Sequence, residues 1–324
     1  MRSSADPRPF HYQSFLDSVW RRPDPETSHN KLTPLHLDVQ CRQLAVTDRR
    51  AYPSDISNAR WALIEPTLSA WRQARLDRRP TGEPAPTDLR EVFNAILYVN
   101  RTGIAWKYLP HDFPNHRTVY GYYAAWRDEG VFAGLNYDLT GLARVKEGRA
   151  AEPTAAVIDT QSVKTSPNPP AATQGTDAAK LIVGRKRSIA IDTIGLLLAV
   201  IVCAASTSEN QAGMYVLDHA KQQYPTITKA WVDQGFKNQF IEHGATLGID
   251  VEVVPRNSDV KGFHVIKRRW VAERTLGWLM LHRRLVRDYE TLPASSEAMI
   301  HIAMIDNVSK RITDETTPTW RGTY

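Results

Sequence analysis

A mixed α/β sheet flanked by helices, preceded by a small all-helical segment, is the fold class this sequence predicts. Three observations lead to it. Apolar residues recur at helical spacing between Asp55 and Asp128. After Pro153 that pattern gives way to three short β-rich runs in succession, then two more separated by helical stretches. Three of those runs end on an acid: Asp192 opens a tight turn, while Asp159 and Asp233 fall where the carboxyl ends of adjacent strands would place a site.

Residues 1–51 are rich in Pro, Arg, Asp, Ser and His without apolar periodicity, and are expected to form a disordered leader. Residues 52–145 read as a helical domain. Asp55 or Ser57 caps a first helix through Trp61, Leu63, Ile64 and Leu68 to Trp71, and residues 72–86 form a loop. Thr87 or Asp88 caps a second, strongly amphipathic helix that carries Leu89, Val92, Phe93, Ile96, Leu97 and Val99 and ends at Thr102-Gly103. A short turn through Trp106 and Leu109 follows, with Pro110 and Pro114 as breakers, before a third helix from about Asn115 to Asp128. Arg117, Tyr120, Tyr123 and Arg127 on that helix suit a helix-turn-helix-like DNA module, with Arg117 and Tyr120 as contacts. A three-helix bundle with those aromatics in its core fits equally well.

Residues 153–312 read as the α/β domain and 313–324 as a polar tail. The expected strands are 155–159, 187–192, 196–204, 227–233 and 251–255, with a tight turn at Asp192–Gly195. Residues 164–180 form a loop. Helices are expected over 210–223 and 238–247, over a long stretch from 265 to about 287, and over 295–311. Three strands in an antiparallel meander followed by helical crossovers give a mixed sheet covered by helices.

Composition narrows the function classes. Of 324 residues, 42% are hydrophobic and 23% charged, which is ordinary for a water-soluble globular chain expected in the cytoplasm. The two cysteines, Cys41 and Cys203, have no metal-ligand or disulfide spacing. No apolar run approaches the length of a membrane span. The net charge of +6 favours a polyanionic partner.

Asp159, Asp233 and Glu273 are the candidate catalytic and metal-binding residues. Phosphodiester cleavage by two metal ions needs a few hard oxygen ligands, because magnesium keeps waters and takes substrate phosphates for the rest of its shell. A carboxylate after a strand also caps turns, and Glu273 lies on the helix face away from a stripe of Val271, Trp278, Leu281 and Leu285. That face is either solvated or turned to a site. Asp192, beside Gly195, reads as a turn residue.

Four strings carry a family resemblance: 157–165 around Asp159, 184–199 from Gly184-Arg-Lys-Arg-Ser188, 231–236 around Asp233, and 268–279 around Glu273. Two more are 103–110 and 118–126. With these the chain resembles bacterial insertion-sequence transposases of the DDE type, in the insertion-sequence-five group, from about Tyr52 to Arg311. The resemblance implies a ribonuclease-H-like fold, with Asp159, Asp233 and Glu273 holding Mg²⁺ or Mn²⁺, two ions in all. It implies hydrolysis at the element's ends to expose a 3′ hydroxyl, which then attacks target DNA without a covalent protein intermediate. The implied partners are double-stranded DNA, as terminal inverted repeats and target, and a second copy of the chain in a synaptic homodimer. In the cell the chain would be nucleoid-associated when bound to DNA. In place of the family's tyrosine and lysine near the glutamate stand Ile266 and Met280, whereas its arginine is present as Arg269. The intact triad supports an active transposase, against the alternative of an inactive or co-opted copy acting as a DNA-binding regulator, to which these two departures lend mild support.

Lys164, Arg185, Lys186, Arg187, Arg269, Arg283 and Arg284 are the candidate DNA contacts around the carboxylates. A solvated basic helix accounts for part of the same cluster. Trp231, Trp270 and Trp278 are expected in the core.

Overall fold

The computed structural model describes residues 49–78, 87–254 and 270–316; the expected leader and most of the tail lie outside the described residues, as do Ile266 and Arg269. Four helices come first: α1 (Asn58–Arg78), α2 (Leu89–Thr102), α3 (His116–Asp128) and α4 (Val131–Lys146). The ends of α2 and the start of α3 follow their capping chemistry. Asp88 accepts from the Arg90 N–H at 2.7 Å, and Gly103 closes α2 at φ +78°, donating to the Val99 carbonyl. Asn115 caps α3 through the Arg117 N–H. Helix α1 runs seven residues past the expected end at Trp71.

The sheet follows, with β1 (Ala155–Lys164), β2 (Gly175–Asp177), β3 (Ile182–Ile191), β4 (Leu197–Ala204), α5 (Glu209–Gln223), β5 (Lys229–Val232), α6 (Asn238–Thr246) and β6 (Asp250–Val253). Strands β1, β3 and β4 form the antiparallel meander, while β5 pairs parallel to β1 and β6 parallel to β5. The spatial order is therefore β4-β3-β1-β5-β6, a ribonuclease-H-like arrangement, and the short β2 extends the β4 side of β3. The β3–β4 turn is held as its residues dictate. The Asp192 carboxylate accepts from the Ile194 and Leu196 N–H groups, and Gly195 stands at φ +87°. Asp192 is also buried against Arg144 of α4.

Three helices complete the chain: α7 (Trp270–Met280), α8 (Arg283–Val286) and α9 (Pro293–Ile312). The single long helix expected through Arg287 is interrupted at Leu281-His282, where the Leu281 and His282 N–H groups close a turn on the Trp278 and Leu279 carbonyls. The core stripe differs as well. Ala272, Thr275 and Leu279 are the buried positions of α7.

Helix α9 explains why the helical segment does not stand apart. It packs against α4, α2 and β4, and one hydrophobic cluster runs from Trp61, Phe93 and Trp126 through Val157, Ile189 and Leu197 to Met299 and Ile305. The other face of the sheet carries a second cluster, built from Ile158, Ala190, Val216, Leu217, Val232 and Phe240 under α5 and α6. A three-layer plan results, with helices on both faces of a mixed sheet. Tyr123 and Trp126 belong to the first core, where the Tyr123 hydroxyl donates to the Ser295 carbonyl. Among the described residues no helix is long and apolar enough to cross a membrane.

Glu297 of α9 closes the free edge of β4 by accepting from the Val202 N–H at 2.8 Å. Burial pushes its carboxyl up to about 7, against the opposing pull of that hydrogen bond. The folded state thus binds a proton the unfolded chain has released, so this group costs stability as pH rises from the ordinary carboxylate range through about 7. Glu297→Gln keeps the acceptor and removes the cost. We expect the variant to match the parent near pH 4 and to exceed it by up to about 3 kcal/mol above pH 8, measured by urea unfolding across that range. A difference that does not grow with pH would show that Glu297 is solvated.

Candidate active site

Asp159 is not the end of its strand. β1 continues five residues further, to Lys164, because its outer partner changes. Residues 155–157 pair with β5, whereas the run from 157 to 164 pairs with β3. Asp159 stands just past the last β5 partner, where β1 has lost one neighbour. The register decides its relation to Asp233. Val157 and Trp231 are the last partners of that ladder, so Asp159 and Asp233 each stand two residues beyond it, at the same end of the parallel pair.

Each aspartate is half-buried and oriented by backbone donors. Asp159 Oδ1 accepts from the Thr160 N–H at 2.7 Å, and Asp233 Oδ1 accepts from the Gly235 N–H at 2.9 Å. Glu273 lies on α7, which packs against β1, and is exposed. Among the described residues no three His, Cys, Asp or Glu side chains stand together closely enough to hold a metal ion, so Glu273 does not join the pair in such a cluster. The pair itself suits a hard divalent cation. It supplies two oxygen ligands on a rigid sheet with an open side, and magnesium asks little more of a protein.

Glu209 is a third carboxylate beside the pair, and nothing in the sequence pattern singles it out. It opens α5 directly after the Ser208 cap. Its Oε1 accepts from the Thr160 hydroxyl at 3.3 Å and from Lys180 Nζ at 3.2 Å. The available signal was only an acid in the first turn of a helix, a position that the helix dipole favours anywhere.

The basic candidates separate into two groups. Arg185, Lys186 and Arg187 are buried on β3, a correction to their expected role as DNA contacts. Arg185 donates to the Glu290 and Thr291 carbonyls and pairs with Asp288. Lys186 donates to the Thr207 carbonyl at 2.6 Å and Arg187 to the Leu285 carbonyl at 2.6 Å. Burial lowers the Arg187 guanidinium to about 10. Arg284 is likewise buried, bonded to Glu290 and to the Ile104 carbonyl. All four side chains are buried inside the protein and bonded to its own carbonyls or carboxylates, away from a surface phosphate. Lys164, Arg283, Arg117 and Tyr120 remain exposed. The tryptophans depart partly from expectation, because Trp270 is exposed and Arg274 is stacked between it and Trp278.

Residues 56–136 match a family model described as "Putative transposase of IS4/5 family", and residues 150–308 match one described as "Transposase DDE domain". No curated protein matches the sequence. Among solved structures, a chain of the Drosophila P element transposase strand transfer complex is similar at 13% identity with a TM-score of 0.30. The similarity covers 60% of this chain, which spans 47% of that one.

Arg185→Ala is expected to lower stability by about 3–5 kcal/mol in urea unfolding, because it strands buried Asp288 without its guanidinium partner. Arg117→Ala, at an exposed position, should leave the unfolding midpoint unchanged. A loss below about 1 kcal/mol for Arg185→Ala would return that residue to the phosphate-facing candidates.

Proposed function

We propose, from the premise that this chain belongs to the IS4/5-type transposases with a DDE domain, that it binds its element's ends and carries out metal-dependent DNA cleavage and strand transfer. The observation that carries the reading is the β1–β5 register, in which the last partners, Val157 and Trp231, each precede an aspartate by two residues.

In this reading Asp159, Asp233 and Glu273 would hold Mg²⁺ or Mn²⁺, two ions in all. Such ions would supply Lewis-acid chemistry for the attacking hydroxyl and the leaving oxygen. The chain's own side chains position and screen. The backbone N–H groups of Thr160 and Gly235 each fix one oxygen of an aspartate and so orient its carboxylate. Lys164, at the open end of β1 beyond Asp159, provides a cation for the scissile strand, and Arg283 another on α8. Arg269 is assigned by its place in the Glu273 string. Arg117 and Tyr120, exposed on α3, contact duplex DNA. The partners are the terminal inverted repeats, the target duplex and a second copy of the chain in the synaptic complex, and the setting is the cytoplasm.

The test is a strand-transfer assay with a labelled 3′-hydroxyl end, a plasmid target and Mg²⁺ or Mn²⁺. Asp159→Asn and Asp233→Asn are each expected to reduce cleavage and joining about a thousandfold or more while the duplex remains bound. Glu273→Gln should do the same once DNA is present. Full activity in Asp233→Asn would overturn the carboxylate assignment. Binding without cleavage by the unaltered protein would favour the DNA-binding regulator instead.

A further inference from the structure

Glu209 stands at the junction of three elements, and its contacts go beyond what a helix-opening acid requires. An acid in the first turn of α5 is favoured by the helix dipole, and its Lys180 partner is partly exposed, so neither fact gives the side chain a task. The position of its second oxygen does. A side chain on Gly235 would begin 2.1 Å from Glu209 Oε2 and 3.0 Å from Asp233 Oδ1, so the Glu209 carboxylate fills the place where residue 235 would carry a Cβ. Residue 235 is glycine at an ordinary backbone angle, so this close approach, not a left-handed turn, is what requires it there.

Two further ties join the start of α5 to the same loop. The Lys237 N–H donates to the Asn210 side chain at 2.8 Å, and Phe236 packs so tightly on Gly213 that a Cβ there would meet its ring at 2.3 Å. At its other end the Glu209 carboxylate accepts from the Thr160 hydroxyl, one residue after Asp159. One side chain thus touches the loop that orients Asp233 and the strand that carries Asp159.

We propose that Glu209 is a positioning residue, which clamps the Asp233 loop to β1 and sets the spacing of the Asp159–Asp233 pair. This rests on the assignment of that pair as the metal site. Glu209 acts by shape and hydrogen bonding through Thr160 and Gly235. In this role it is not itself a ligand. Gly235 is the other half of the device, since any larger residue expels the carboxylate.

The experiment uses the full chain with Mn²⁺ as the probe. Binding is read by isothermal titration without DNA, and cleavage of an end-bearing duplex is read as a function of Mn²⁺ concentration. Glu209→Ala and Gly235→Ala are each expected to weaken Mn²⁺ binding and to raise the Mn²⁺ needed for half-maximal cleavage by about ten- to a hundredfold, the usual effect of losing a residue that orients a ligand. Duplex binding and the thermal midpoint should be unchanged. Glu209→Gln should stay close to the parent, because its amide keeps an oxygen for Thr160 and fits over Gly235. A parental Mn²⁺ requirement in Glu209→Ala would overturn the proposal, even if Gly235→Ala proved unstable. Equal loss in Glu209→Gln and Glu209→Ala would also overturn it, by making the charge itself the ligand. Asp159→Asn and Asp233→Asn, run alongside, separate the two levels. Should they lose activity while Glu209→Ala does not, only the clamp is wrong. Should they retain it, the metal-site reading has failed.

Discussion

The parallel pairing of β1 with β5 is the constraint on which the remaining structure depends. Only three residues of β1 form it, Ala155 to Val157, yet it dictates the layers around it. A parallel neighbour cannot be reached by a hairpin, so the chain must leave the meander at β4, cross as a helix and return. That crossover is α5, which covers one face of the sheet and delivers Glu209 to the end of β5. The opposite face is left apolar, at Val157, Ile189 and Leu197, and needs a cover of its own. Helices α4 and α9 provide it, which is why the N-terminal helices share a core with the sheet although the two family models divide near residue 140.

Setting two carboxylates in register works against folding, since like charges on adjacent strands repel. The structure tempers this locally. Each aspartate accepts a backbone N–H, and β1 has already lost β5 as a neighbour at Asp159, so the pair lies at the open end of the sheet and not within its ladder. Lys180 brings a positive charge to the third acid. A cation held by the pair, as proposed, would relieve such repulsion.

Much of this was legible in the residues, and the parts that were not have physical reasons. Asp88, Asn115, Gly103 and the Asp192–Gly195 turn were readable because capping and turn chemistry are local. Asp159 and Asp233 were readable as acids following apolar β-rich runs, although the true extent of β1 was not. Its last residues are polar and are held by β3 and by the Asp288 backbone, a long-range contact. Helix α4 follows Gly130, which has no side chain to cap it, so the residues mark the end of α3 and not a new start. Glu209 was invisible for the same reason as its clamp: Gly235 and Thr160 are far from it in the chain, and only the fold brings them together.

The buried cations are the instructive failure. Arg185, Lys186 and Arg187 form a run of charge that would ordinarily be solvated, since Lys and Arg are almost never fully buried unless partnered. Here the partners exist: Arg185 meets Asp288 and the Glu290 carbonyl, Lys186 the Thr207 carbonyl and Arg187 the Leu285 carbonyl of α8, in place of the phosphates expected. Arg60 and Lys310 meet Asp306 in the same way, and Arg144 meets Asp192. A net charge of +6 is therefore a poor measure of the surface that faces DNA. Part of the basic complement holds helices α8 and α9 against the sheet, and those helices close the core that fixes β1. The same residues that looked like a phosphate track thus serve the carboxylates indirectly, by keeping rigid the strand on which Asp159 sits.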